Sequence, residues 1–350
     1  MPAPSLRTHC TCTLVLALGT TLLATPVLAT PARNAPDPVP HIEFINVSGV
    51  GPNALNTAMQ VQVFLPGNSK IDPRNGVART RAGTQLPALP ILLYAHGRPA
   101  YASARAQLKR PIHTRHVQYW LSRGYAVVAP IRPGYGTAGA PDAEASGVGY
   151  SATGQCIRPP QPERLATSAA RAQRAALDWV RLQPWANAQH IVLEGQSAGG
   201  LATVALCATN PPGVRGCINF SGGAGGDPQH APGQVCAPEK ITALMQQYGR
   251  TTRSPSLWLY APNDLYWGAA APQQWHAAFN QAAAAAGQGI VGNNVNSSNV
   301  NNSNTGNSNN PTASQLVTTP PIGSDGHSLL RAGSQHWGPP LAAWLKKNRL

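Results

Sequence analysis

A short apolar run, His190-Ile191-Val192-Leu193-Glu194, leads without a spacer into Gly195-Gln196-Ser197-Ala198-Gly199. A small-residue stretch of helical character follows, Gly200-Leu201-Ala202-Thr203-Val204-Ala205-Leu206. Strand, sharp turn and helix in immediate succession leave a chain few options. The turn must fold the helix back onto the strand, and only small residues fit two positions either side of Ser197. Such a turn holds the serine hydroxyl clear of the sheet, over a helix N-terminus that stabilises negative charge.

The flanking sequence extends the same scheme. From His41, alternation through Ile42, Phe44 and Val47, then Met59, Val61, Val63 and Leu65, predicts two antiparallel opening strands. Gly67 to Pro90 is polar and turn-rich and reads as a long loop. Strands are then expected at Ile91–Ala95, Tyr125–Ala129, Val214–Phe220, Ser256–Ala261 and Gln315–Thr319. Helices are expected at 112–123, with Ile112, His116, Tyr119 and Trp120 near one face, and at Pro162–Leu182, Pro272–Ala286 and Pro339–Leu350. Leu165, Ala169, Ala176, Leu177 and Val180 form a helical stripe in the second of these. The predicted class is α/β: a mostly parallel central sheet with helices on both faces, forming one domain over 41–350. Gly287–Ser314 is almost entirely Asn, Ser, Gly, Val and Thr. It cannot bury enough apolar surface to offset chain ordering, so a disordered insertion is expected there.

Residues 1–29 carry a secretory signal pattern: Arg7, an apolar stretch from Thr13 to Leu23, and Val27-Leu28-Ala29 as a cleavage site. The apolar stretch is short and interrupted for a membrane span, and stable membrane insertion is not expected. A Pro-rich linker, 30–40, follows. The expectation is export to the periplasm or the medium. Four cysteines then remain, Cys156, Cys207, Cys217 and Cys236, and an even number in an exported chain favours disulfides. Sequence alone allows three connectivities. Cys156 and Cys236 both follow strands at the same sheet edge, whereas Cys207 ends the Ser197 helix and Cys217 lies near the start of the next strand, toward the opposite edge. The expected pairs are Cys156–Cys236 and Cys207–Cys217. No metal spacing is present. The formal net charge of +14 is spread out, with one denser region at Arg98, Arg105, Lys109, Arg110 and Arg115. No basic block interleaved with aromatics marks a nucleic-acid module.

A serine nucleophile needs a base, an acid to orient that base, and donors for the oxyanion. On a strand–turn–helix elbow the expected chain order is serine, acid, histidine. Asp264 ends the apolar strand Ser256–Ala261 and is the candidate acid, with Asp227 as the rival. His327 follows the last strand and is the candidate base, with His336 as the rival. Asp325 is too near His327 in sequence to be its expected partner. His96, His113, His116, His190, His230 and His276 read as surface or structural. The oxyanion donors are expected to be the backbone N–H groups of Ala198 and of Arg98, in His96-Gly97-Arg98-Pro99; Pro99 has no N–H. The Arg98 side chain could also meet an acidic substrate group. Tyr135, Tyr266 and Trp267 are candidate pocket residues in loops at the same edge.

From Ile91 to Leu350 the chain resembles the α/β-hydrolase superfamily, and within it the dienelactone hydrolase-like and prolyl-oligopeptidase-like serine hydrolases. The resemblance is carried by His96-Gly97, by Gly124 to Pro130 leading into Pro133-Gly134-Tyr135-Gly136, by Gly195 to Gly199, by Asn263-Asp264, and by Asp325-Gly326-His327. Two departures matter. True dienelactone hydrolases use a cysteine where this chain has Ser197. True prolyl oligopeptidases carry a large propeller, for which the sequence before His41 has no room. The resemblance implies an exported serine esterase that cleaves carboxylic esters of small molecules through an acyl-enzyme, with no metal or organic cofactor. The competing readings are a peptidase or amidase using the same triad, and a non-catalytic binding protein on this fold. The sequence leaves oligomeric state and acyl and alcohol specificity open.

Overall fold

Strict alternation sends Ile91 and Leu93 to one face of the central sheet and Leu92 and Tyr94 to the other. The neighbouring strand divides Ile191 and Leu193 from Val192 in the same way. Both faces are therefore apolar and both must be covered, as in a parallel sheet between helical layers. The computed structural model describes residues 37–50, 55–136, 141–291 and 314–350, together with Met1. Residues 2–36, which include most of the segment read as an export signal and part of the Pro-rich stretch, and residues 292–313 of the Asn-rich stretch lie outside the described residues.

Eight strands form the sheet: β1 (His41–Val50), β2 (Leu55–Phe64), β3 (Leu89–Ala95), β4 (Ala126–Ile131), β5 (Ala186–Gln196), β6 (Val214–Phe220), β7 (Ser256–Tyr260) and β8 (Ser314–Thr318). Their spatial order is β1-β2-β4-β3-β5-β6-β7-β8. β1 pairs antiparallel with β2, and β2 antiparallel with β4. Every other pair is parallel. This is the α/β-hydrolase fold.

The longer helices among the described residues are α1 (Thr114–Leu121), α2 (Pro162–Val180), α3 (Ala198–Cys207), α4 (Pro238–Thr251), α5 (Ala270–Val291) and α6 (Ser334–Lys347). α2 lays Ala172, Ala176, Leu177 and Val180 against Ile91, Leu93, Val128, Ile191 and Leu193. α3, α4 and α5 continue that layer over Trp258 and Tyr260. On the opposite face, Val117 and Trp120 of α1 join Trp337, Leu341, Trp344 and Leu345 of α6 over Leu92, Val127, Ile218 and Leu259.

Several elements differ from the sequence reading. The 67–90 stretch contains a small antiparallel pairing, Lys70–Ile71 with Ala78–Arg79. α4 was not expected, although Pro238 at its start and buried Ile241, Leu244, Met245 and Tyr248 give it a clear helical signature. α5 runs on through the alanines to Val291, so the first residues of the stretch from Gly287 that was expected to be disordered are helical. α6 starts at Ser334 and holds Pro339 and Pro340 within it, rather than opening at Pro339. Burial of Trp337, Leu341, Trp344 and Leu345 against the sheet outweighs the lost backbone hydrogen bonds.

Both expected cysteine pairs come together. Cys156 and Cys236 have Cα atoms 5.3 Å apart, and Cys207 and Cys217 6.4 Å apart, within the reach of a disulfide. The first pair joins two loops above the C-terminal edge of the sheet; the second ties α3 to β6. Among the described residues no helix is long and apolar enough to cross a membrane.

Candidate active site

All the loops that matter leave the C-terminal edge of the parallel strands. At the end of β5 the chain reverses at Ser197, whose backbone takes φ 55° and ψ −123°. A positive φ at a non-glycine residue is strained, and such strain gathers at functional sites. The two glycines of the turn are there for space. A Cβ on Gly195 would strike the carbonyl of Gly199, and one on Gly199 would strike the carbonyls of Ala95 and His96. The Ser197 N–H donates to the Phe220 carbonyl at 2.9 Å, fixing the elbow to β6. Ser197 itself is half-exposed.

Asp264 follows β7 and is 1% exposed. Its Oδ1 accepts the backbone N–H of Tyr266 at 2.8 Å and of Trp267 at 3.3 Å. Its Oδ2 lies 2.9 Å from Nδ1 of His327. Gly326 permits that approach: a Cβ there would lie 2.7 Å from both Asn263 Oδ1 and the Asp264 nitrogen. Gln196, next to Ser197, donates its side-chain amide to the His327 carbonyl at 3.2 Å, so the histidine loop is moored to the elbow. The structure thus brings Asp264 and His327 into direct contact and ties the His327 loop to the residue before Ser197, while among the described residues the Ser197 hydroxyl and the His327 ring make no hydrogen bond with each other.

The sequence reading gave no role to Asp325. Its Oδ1 accepts the N–H groups of His327 at 2.9 Å and Leu265 at 3.0 Å, stitching the base loop to the acid loop. Its short spacing from His327 suits this turn-forming role. The rivals lie elsewhere. Asp227 pairs with His230 at 2.8 Å on the rim of a cavity, and His336 sits within α6.

The Gly97 Cα packs against the elbow; a Cβ on it would lie 3.4 Å from the Ser197 Cβ. Among the described residues, neither the Arg98 N–H nor the Ala198 N–H donates to another group. The Arg98 side chain is already engaged, its Nη1 and Nη2 donating to the two oxygens of Asp142 at 2.8 and 2.5 Å. It is therefore not free for an acidic substrate, as the sequence reading allowed.

Two cavities flank the site. One, of about 620 Å³, is lined by Ser197, Ala198, Arg98, Leu165, Tyr101 and Trp267 among others. The second, of about 540 Å³, is lined by His327, Gln196, Tyr94, Arg110, His113 and Arg331. Tyr266 lines both. Its ring lies 4.2 Å from the His327 ring, centroid to centroid, and the Trp267 ring 5.6 Å away, nearly edge-on. Tyr135, by contrast, is not a pocket residue. It is buried below the site, with its hydroxyl on Glu144 at 2.5 Å, because the loop after β4 turns inward at that point. Among the described residues no group of three or more His, Cys, Asp or Glu side chains could hold a metal ion.

No protein-family model matches the chain, and no curated protein matches it. Solved structures that it resembles include a puromycin hydrolase, at 14% identity over 73% of this chain and 35% of that one, with a TM-score of 0.43. Dipeptidyl peptidase 4 of Porphyromonas gingivalis is 14% identical over 88% of this chain and 35% of that one, with a TM-score of 0.48. An acylaminoacyl peptidase of Pyrococcus horikoshii is 12% identical over 88% and 42%, also with a TM-score of 0.48. The chain thus spans between 35% and 42% of the length of these structures. The strand order, and not these likenesses, identifies the fold.

Proposed function

We propose that the chain is a serine hydrolase that transfers acyl groups from carboxylic esters to water through Ser197, His327 and Asp264. The observation that carries this reading is the Asp264–His327 contact at 2.9 Å, on a loop moored by Gln196 to a strained serine elbow. In the proposed reaction the Ser197 hydroxyl attacks the ester carbonyl carbon while His327 takes its proton. Asp264 holds the imidazole with its Nδ1 protonated, so that Nε2 is the acceptor. The N–H groups of Ala198 and Arg98 receive the oxyanion. The intermediate collapses, the carbon–oxygen bond to the leaving group breaks, and His327 protonates the departing alcohol. Water, deprotonated by His327, then releases the acid.

The acyl group is assigned to the cavity that holds Ser197 and Ala198, and the leaving group to the cavity that holds His327, since His327 must protonate it. The presence of a cavity above 500 Å³ on either side of Tyr266 favours one second reading, an amidase or peptidase that seats chain on both sides of the scissile bond. Residues 41–350 are proposed as one hydrolase domain behind an export signal; the two cysteine pairs support export. A fluorophosphonate probe should label the wild-type protein at Ser197, and Ser197→Ala should lose both labelling and turnover. Turnover of Ser197→Ala at the wild-type rate would end this reading. Parallel screens of p-nitrophenyl esters and aminoacyl anilides choose between ester and amide.

A further inference from the structure

Behind the Gly97–Arg98 peptide lies a polar cluster that the triad does not use. His96, Arg132, Tyr135 and Glu144 are all almost completely buried. Arg132 grips Glu144 with two parallel bonds, Nε to Oε1 at 2.6 Å and Nη2 to Oε2 at 2.9 Å. Its third donor, Nη1, reaches the His96 carbonyl at 2.5 Å. The Tyr135 hydroxyl donates to Glu144 Oε2 at 2.5 Å, and the Tyr135 ring lies edge-on to the His96 ring at 4.7 Å.

The His96 ring has its tautomer set by this cluster. Nε2 accepts the backbone N–H of Arg132 at 3.2 Å, so the ring proton sits on Nδ1. Nδ1 then donates to the Gly97 carbonyl at 2.7 Å. Burial and the Arg132 charge hold the imidazole well below its usual range, which keeps the ring neutral and this pattern intact. The Gly97–Arg98 peptide is trans, so its N–H points away from its carbonyl. Clamping the Gly97 oxygen on His96 therefore aims the Arg98 N–H in the opposite direction. A buried ion pair is a poor way to gain stability, since well-packed apolar residues commonly serve as well or better. The cluster sits where aim matters instead.

We infer that Glu144, acting through Arg132 and His96, is a positioning residue that orients the Arg98 N–H toward the oxyanion. The inference rests on the reading of Ser197 as the nucleophile. It also connects the oxyanion loop to the acyl cavity. Glu144 immediately precedes Ala145, Ser146, Gly147 and Val148, which line that cavity. Asp142, two residues earlier, holds the Arg98 side chain and lies 3.3 Å from Arg105.

The test compares Glu144→Gln, His96→Ala and His96→Asn with the wild type on one small ester. Asparagine places an amide N–H near the position of the imidazole Nδ1, whereas alanine places nothing there. Loss of a single oxyanion donor lowers kcat about 10²–10³-fold. Misalignment should therefore lower kcat roughly 10–100-fold in Glu144→Gln and His96→Ala, with KM changed less than about threefold. His96→Asn should recover at least about tenfold of the His96→Ala loss. Affinity for a trifluoromethyl ketone, which forms a tetrahedral adduct on Ser197, should fall in step with kcat, while affinity for the product acid should not. The double variant Arg132→Met/Glu144→Leu removes both charges together and guards against a simple folding failure; it should stay folded, melting below wild type only by what the Tyr135 hydroxyl and the His96 carbonyl lose as partners, yet show the same kcat loss. Double-variant turnover within threefold of wild type, or ketone and product affinities falling equally, would overturn the inference. Fluorophosphonate labelling of the wild type at Ser197 is checked separately, so a failure of the nucleophile assignment is seen as such.

Discussion

Replacing Asp264 by Asn isolates the orienting role of the carboxylate from its volume. Oδ1 of Asp264 is committed to two backbone donors, the N–H groups of Tyr266 and Trp267. In Asp264→Asn the amide oxygen must keep that position, because turning the NH₂ toward two N–H donors would lose both bonds and leave buried donors unpaired. That penalty is about 1–3 kcal/mol for each group. The NH₂ is thereby forced toward Nδ1 of His327, which now sits 2.9 Å from a donor. Nδ1 must become the acceptor, and the ring proton moves to Nε2, the nitrogen that should take the proton from Ser197. Asp264 is 1% exposed, so water has no room to repair the pattern. A wrong tautomer of this kind costs about 10⁴ in kcat in a comparable triad, or roughly 5.5 kcal/mol of barrier. The assay is steady-state kcat at saturating p-nitrophenyl ester, with thermal unfolding alongside to show an intact fold. Asp325→Asn is the matched control, since its Oδ1 can still accept from His327 and Leu265. It should lose less than about tenfold. A loss below tenfold in Asp264→Asn, or a larger loss in Asp325→Asn or Asp227→Asn, would refute the reasoning.

Acid stability should report His276. Burial pushes its imidazole down to about 4, against a smaller opposing effect of Ser314, whereas the unfolded chain titrates near about 6.5. The unfolded state binds the proton first, so this stability is fully present above about pH 6.5 and is lost as the pH falls toward about 4, by up to roughly 3 kcal/mol. Denaturant midpoints measured from pH 7 to pH 4 should fall, and His276→Gln should fall less steeply; an equal slope would refute the assignment. The cysteine pairs close loops of different length, with sequence separations of 80 for Cys156–Cys236 and 10 for Cys207–Cys217. Serine replacement of both members should cost about 4–5 kcal/mol for the first pair and about 3 kcal/mol for the second, read from urea midpoints, and the reverse order would contradict the loop-closure account. Residues 292–313 join α5 to the start of β8, where Ser314 pairs with Ser256 at the edge of the sheet away from Ser197. Replacing 293–312 with a short Gly/Ser turn should leave kcat/KM within about twofold, since loop-closure cost varies slowly with length, and a tenfold loss would show that the segment reaches the site.

Much of this molecule was legible in the chain because hydrophobic periodicity is a local signal. Ile91 to Ala95 reads as a buried strand, and Leu165 to Val180 as a one-faced helix, whatever lies beside them. Strand–turn–helix around Ser197, with Asp264 and His327 each just past a later strand, follows from the same local patterns plus the rule that parallel strands present their C-terminal ends together. α4 carried the same kind of signal in Ile241, Leu244, Met245 and Tyr248, and could have been found there. Other features had no local signature. Pro339 inside α6 is tolerated only because the aromatic face of that helix is buried on the sheet. Tyr135, read as a pocket residue, became a buried partner of Glu144, and the Arg98 side chain was claimed by Asp142. His96, Arg132 and Glu144 are well separated in sequence, and nothing in their neighbours marks them as partners. Polar groups like these are specified by who else is buried with them. The order of strands, by bringing β3 beside β4, made that decision; the residues alone did not.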